Sequence, residues 1–122
     1  ELQAQFQLTY IFISHDLGLV EYICDRVAVM YLGRLVELAS KQEIYGAPQH
    51  PYTQALLSAA PVPDPCARKH RILLAGDVPS AVHPPSGCSF HPRCRERREV
   101  CATHLPDFRE ISPGRFVACH NR

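Results

Sequence analysis

Residues 8–14, LTYIFIS, form an unbroken apolar, β-branched and aromatic run. That pattern predicts a strand covered on both faces, as in a parallel sheet. In the stretch that follows, HDLGLVEYICDR, Leu17, Val20 and Cys24 recur near helical spacing and Asp16 stands at a capping position, so a short helix is expected. RVAVMYLGRLVELAS then reads as two strands turned at Gly33. Ser40 and Glu43 have capping-box spacing, which predicts a helix through KQEIYG ending near Gly46. Pro51 suits the first turn of a further helix, with Tyr52, Ala55, Leu56 and Ala59 as its apolar stripe and Pro61 as its stop.

Composition changes at Pro61. Six of the eleven prolines fall between Pro61 and Pro85, interrupted by the strand-like RILLAG, and this predicts a linker that is extended and held. Residues 86–122 carry four cysteines and seven arginines with little periodicity. With so few aliphatic residues this part is expected to build little core of its own and to need a staple. Charge follows the same division: residues 1–65 hold three Lys/Arg against seven Asp/Glu, and residues 66–122 hold ten against five. The second half is cationic, but not enough by itself to argue for a nucleic acid. The chain opens on Glu1, and neither an export signal nor an apolar run of the roughly 18 residues of a membrane span is seen.

Two features carry candidate chemistry. His15 follows the predicted buried strand, at the edge where open α/β sheets bind ligands, and an imidazole there can donate to a phosphate. The alternative is a histidine that only satisfies backbone groups at a strand end. Cys88, Cys94, Cys101 and Cys119 are spaced C-x5-C-x6-C-x17-C, which leaves a disulfide framework, a zinc site, an iron–sulfur site and scattered free thiols open. Tight structural zinc sites favour C-x2–4-C pairs, whereas iron–sulfur sites accept looser spacings. His91, His104 and His120 lie near enough in sequence to replace one thiol in a mixed site. Cys24 is expected to be a core thiol, Cys66 an unpaired linker residue, and His50 a residue just ahead of the helix at Pro51.

Residues 8–40, LTYIFISHDLGLVEYICDRVAVMYLGRLVELAS, resemble the end of an ABC-transporter nucleotide-binding domain, without gaps. GAPQHPYTQALLSAAPVPDP, with His50, Pro51, Tyr52 and Thr53, resembles the start of the C-terminal extension of oligopeptide/dipeptide-type ABC ATPases. GDVPSAVHPPSGCSFHPRC and FVACH continue that likeness, with Ala81 and Arg95 standing where prolines are common. The resemblance implies an α/β fold: the end of an ABC ATPase (RecA-like) core over residues 1–46, then a small irregular metal-stapled extension over 47–122.

It also implies that His15 is the switch histidine at the ATP γ-phosphate, and that Asp25 and Arg26 form the family's structural pair. The phosphate-binding loop G-x-x-x-x-G-K-[S/T] does not occur in these residues, so this chain alone should neither bind ATP and Mg2+ tightly nor hydrolyse ATP. The implied partners are transmembrane permease subunits, a second ATPase subunit and, indirectly, a periplasmic or extracellular substrate-binding protein, with no nucleic acid. The implied place is the cytoplasmic face of the inner membrane, peripherally attached. In that reducing compartment disulfides are disfavoured. Members of the family can carry a [4Fe–4S] cluster on these cysteines, with zinc as the alternative. Arg93, Arg95, Arg97 and Arg98 are candidates to balance the cluster's negative charge. A second reading makes residues 61–122 a metal-stapled interaction or nucleic-acid-binding module. It would need aromatic platforms, for which only Phe90, Phe108 and Phe116 are available.

Overall fold

A computed structural model describes residues 2–60 and 71–122. The helix predicted before the hairpin runs Leu17–Ile23 (α2, after a short α1 at Leu2–Phe6), and Asp16 caps it by accepting the Leu19 amide at 3.1 Å. Strands β1 (Arg26–Tyr31) and β2 (Arg34–Ser40) follow as an antiparallel hairpin. Its two-residue turn places Leu32 and Gly33 at φ +45 and +76, the left-handed backbone that favours glycine in such turns. The capping box closes as expected. Ser40 accepts the Glu43 amide and the Glu43 carboxylate accepts the Ser40 amide at 3.1 Å, starting α3 (Lys41–Gly46). Helix α4 spans Pro51–Ser58.

Two expectations fail here. Residues 8–14 form no strand, and Ile11 and Ile13 are both 92% exposed. A central parallel strand is stable only with neighbours on both sides, and among the described residues this run pairs with none. The fold is accordingly a small mixed α/β unit on an antiparallel sheet, and the parallel sheet expected of the α/β class is not formed by the described residues. RILLAG is not a strand either. It is held by side chains from elsewhere: Ser58 accepts the Ile72 amide at 2.9 Å, and Arg95 donates to the Leu73 carbonyl at 2.9 Å. The first part of the proline-rich stretch, 61–70, and with it Cys66, lies outside the described residues.

The later residues are more regular than their composition implied. A 3-10 turn at His91–Arg93, helix α5 (Glu99–Thr103) and strands β3 (Arg109–Ser112) and β4 (Arg115–Val117) follow one another. Strand β4 pairs with β2, so one four-stranded sheet of order β1-β2-β4-β3 joins both halves of the chain. The extension also shares the hairpin's core. Phe90, 1% exposed, packs its ring edge-on against Tyr31 at 5.2 Å and close to Tyr52 and His50. Val20, Val27, Val29, Val36 and Ile44 complete that cluster. The segment thus has little core of its own and shares the hairpin's, into which Phe90 inserts one large aromatic ring.

Candidate functional site

His15 sits between the irregular run and α2, exposed, with Ser14 accepting the Asp16 amide at 3.0 Å and Asp16 capping the helix behind it. The strand end that was to present it is not formed, so its place rests on the α2 cap alone. Cys24, expected on the buried face of the helix, is instead its C-cap residue, half-buried against the core. His50 is more than a residue ahead of a helix. It is the N-cap of α4, 1% exposed, and its Nδ1 accepts the Tyr52 amide at 3.1 Å. Burial holds its pKa down at about 4, with the Arg122 guanidinium adding to that, so it caps as a neutral imidazole.

The four cysteines arrive on four separate backbone segments. Gly87, at φ +65, lets the loop before Cys88 press against α5: a Cβ there would lie 2.5 Å from the Cys101 carbonyl oxygen. Through that approach the Cys88 amide donates to the Cys101 carbonyl at 2.8 Å and the Ser86 hydroxyl donates to the Ala102 carbonyl at 2.8 Å. Cys94 ends the 3-10 turn, and Cys101 is buried on α5. Cys119 follows β4, which the Ala118 amide ties to the Val36 carbonyl at 2.9 Å.

These thiols feel one another. Burial pushes Cys88 up, with Cys101 and Cys119 adding to the effect. Burial raises Cys94 to about 11, helped by Cys119 and Cys88, and raises Cys119, helped by Cys101. Opposing the burial, the backbone amides of Phe90 and His91 act to lower the pKa of Cys88, that of Glu96 to lower Cys94 and that of Asn121 to lower Cys119. The Arg98 amide donates to the Cys101 sulfur at 3.4 Å. Amide donors of this kind favour the thiolate form that metals require. Among the described residues the cysteines are free thiols, and no three His, Cys, Asp or Glu side chains converge tightly enough to hold a single ion. By its chemistry alone the donor set, four thiols in a partly dry place, is of the kind that soft metals take.

The neighbouring histidines are otherwise engaged. His91 Nδ1 donates to the Cys88 carbonyl at 2.9 Å, His120 Nε2 to the His104 carbonyl at 2.9 Å, and the His104 ring meets the Thr103 hydroxyl. The arginines expected beside the thiols are also turned elsewhere. Arg93 and Arg95 bind the carbonyls of Ala75 and Leu73, and Arg98 donates to the Asn121 side chain. Acting to lower the pKa of Cys119, and opposed there by its ion-pair partner Glu96, is Arg122. Nothing in sequence singled it out except its place three residues after the last cysteine. A second residue passed over is Glu37, fully buried, whose carboxylate accepts the amides of Gln49 and His50 at 2.8 and 2.9 Å. Its signal was a lone acid in an otherwise apolar strand.

A hairpin bound to a capped helix, with a four-thiol segment docked on both, defines a small mixed α/β unit with a cysteine-containing C-terminal part. Comparison with known proteins gives its family. Residues 36–101 match the family described as the oligopeptide/dipeptide transporter, C-terminal region, and the chain belongs to that family. It is 58% identical over 119 residues to a putative peptide import ATP-binding protein of Brucella ovis, covering 98% of this chain and 38% of that protein. It is 52% identical over 122 residues to the oligopeptide transport ATP-binding protein AppF of Bacillus subtilis, covering 98% of this chain and 37% of that protein. A probable peptide ABC transporter ATP-binding protein of Sinorhizobium fredii is also 52% identical, over 100% of this chain and 35% of its own length. The chain thus spans well under half the length of these relatives.

Proposed function

We propose that the chain is the C-terminal part of the ATP-hydrolysing subunit of an importer for oligopeptides or dipeptides. The observation that carries this reading is the similarity over nearly the whole chain to proteins named as peptide import ATP-binding proteins. In it, residues 1–46 end the nucleotide-binding domain and residues 47–122 are the extension. ATP and Mg2+ bind to upstream parts of the subunit. His15 donates to the γ-phosphate, where a fixed donor helps position the nucleotide and offset charge developing in transfer. The subunit works on the cytoplasmic face of the membrane with permease subunits, a second ATPase subunit and, through them, a substrate-binding protein. Among the described residues no helix is long and apolar enough to cross a membrane.

The thiols of Cys88, Cys94, Cys101 and Cys119 would hold a [4Fe–4S] cluster, with one zinc as the alternative. Bound there, the metal centre would supply folding energy by joining four backbone segments. The nucleic-acid alternative loses its platforms. Phe90 is buried in the core, and Phe108 and Phe116 stack on each other at 5.7 Å.

The test is made on the full-length subunit purified without oxygen. His15→Ala should retain ATP binding and lose most hydrolysis, and unchanged turnover would remove His15 from the reaction. Iron and acid-labile sulfide should each approach roughly four per chain. One zinc without iron would decide for the alternative.

A further inference from the structure

Asn121 and Arg122, just past the last cysteine, touch the segment that carries the second one. Asn121 Nδ2 donates to the Glu96 carbonyl at 2.7 Å, and Arg98 donates to Asn121 Oδ1 at 3.4 Å. Arg122 pairs with the Glu96 carboxylate at 2.7 Å and donates from Nε to the Gln49 carbonyl at 3.1 Å. Glu96 is therefore gripped at both its carbonyl and its carboxylate. Glu96 lies two residues past Cys94, and the Arg122 amide donates to the Cys119 carbonyl at 3.4 Å.

We infer that Asn121 and Arg122 form a latch that sets the position of the Cys94 loop against Cys119. The inference rests on the reading that the four thiols hold a metal–sulfur centre. A ligand on a short loop keeps its geometry only if the loop is tied down by groups outside the ligand set. The Gln49 contact extends the latch to the residue before the α4 cap, so metal site and helix start share one clamp. Both residues are positioning residues in this account.

The experiment uses the full-length subunit, purified without oxygen, as wild type, Arg122→Met, Arg122→Lys, Asn121→Ala and Glu96→Gln. Readouts are iron per chain, the rate of iron loss to a chelator, and the midpoint potential followed by visible absorbance. Arg122→Met and Asn121→Ala are expected to lose iron about 10-fold faster or more, the range for outer ligands of metal sites. Arg122→Met should also move the potential negative, since a lost cation disfavours the extra electron, and Arg122→Lys should restore it. Glu96→Gln breaks the pair and leaves the guanidinium uncompensated, so it should speed iron loss and move the potential positive, opposite to Arg122→Met. Should Arg122→Met not fold, the Asn121 and Glu96 variants carry the test. A wild type that holds iron, with variants that release it at the same rate and potential, overturns the latch alone. A wild type without metal overturns the metal reading and the latch with it. A wild type holding one zinc is tested by zinc retention, and variants that keep zinc as well as wild type does overturn the latch.

Discussion

The Glu37 carboxylate and the Arg115 guanidinium face each other at 3.5 Å across the β2–β4 pairing, the acid fully buried and the base nearly so. Arg115 also donates to the Ala47 carbonyl, and Glu37 accepts the amides that lead into α4. The pair thus binds the hairpin, the α4 elbow and the last strand at one point. Glu37→Ala would leave a buried guanidinium and two amides without their acceptor, at a cost of about 3–5 kcal/mol. Arg115→Met should cost a similar amount, and the double variant should cost clearly less than the two together. Hydrogen exchange at the Gln49 and His50 amides of the full-length subunit measures this, and additive losses would show that the two groups act separately.

His50 makes the same elbow sensitive to acid. Its pKa is lowered from 6.5 to about 4 in the folded state, mainly by burial. Between those values the unfolded chain binds the proton first, so the stability His50 contributes is complete above about 6.5 and is lost as pH falls toward 4. The loss amounts to about 3 kcal/mol at most. His50→Asn keeps a good capping oxygen and cannot titrate. Opening of α4 measured against pH by hydrogen exchange should be steeper in wild type than in His50→Asn, and parallel curves would contradict this.

Gly87 and Gly33 share left-handed backbone but not surroundings. A Cβ at Gly87 would meet the Cys101 carbonyl at 2.5 Å, whereas one at Gly33 meets nothing within 4 Å. Gly33→Ala should cost about 1–2 kcal/mol, the strain of the backbone alone. Gly87→Ala should cost more, displace Cys88 from α5 and lower the metal content of the full-length subunit. Equal unfolding midpoints and equal metal for the two variants would show that the close approach at Gly87 does not matter.

Phe90 lies between Cys88 and Cys94 in sequence, and in space its ring packs against both Tyr31 and Tyr52, which touch each other at 4.7 Å. Phe90→Ala should destabilise the docked extension by about 3–5 kcal/mol and Phe90→Leu by less. Limited proteolysis should then cut the extension first, and an unchanged digestion pattern would mean that the ring does not hold it.

The elements read correctly in sequence are those whose cause is local. Asp16, the Gly33 turn, the Ser40–Glu43 box and Pro51 each act within a few residues of their own position, so short-range chemistry announces them. The strand at 8–14 was misread for the opposite reason. Its apolar pattern is a demand for neighbours, and the described residues do not provide them. The thiol quartet is visible in sequence as four letters, but the reach of its neighbouring arginines is not. Spacing placed Arg93 and Arg95 beside the ligands, while in the fold their side chains reach back to residues 73–75.

By itself the sequence determined the hairpin, the caps, the cysteine set and the family resemblance, because turns, caps and motifs are encoded by residues close together in the chain. Tertiary structure alone decided that Phe90 is a core residue, that Glu37 and Arg115 meet, and that Arg122 pairs with Glu96. The physical reason is distance along the chain. Glu37 and Arg115 are brought together only when β4 pairs with β2, and no local pattern records which strands will pair.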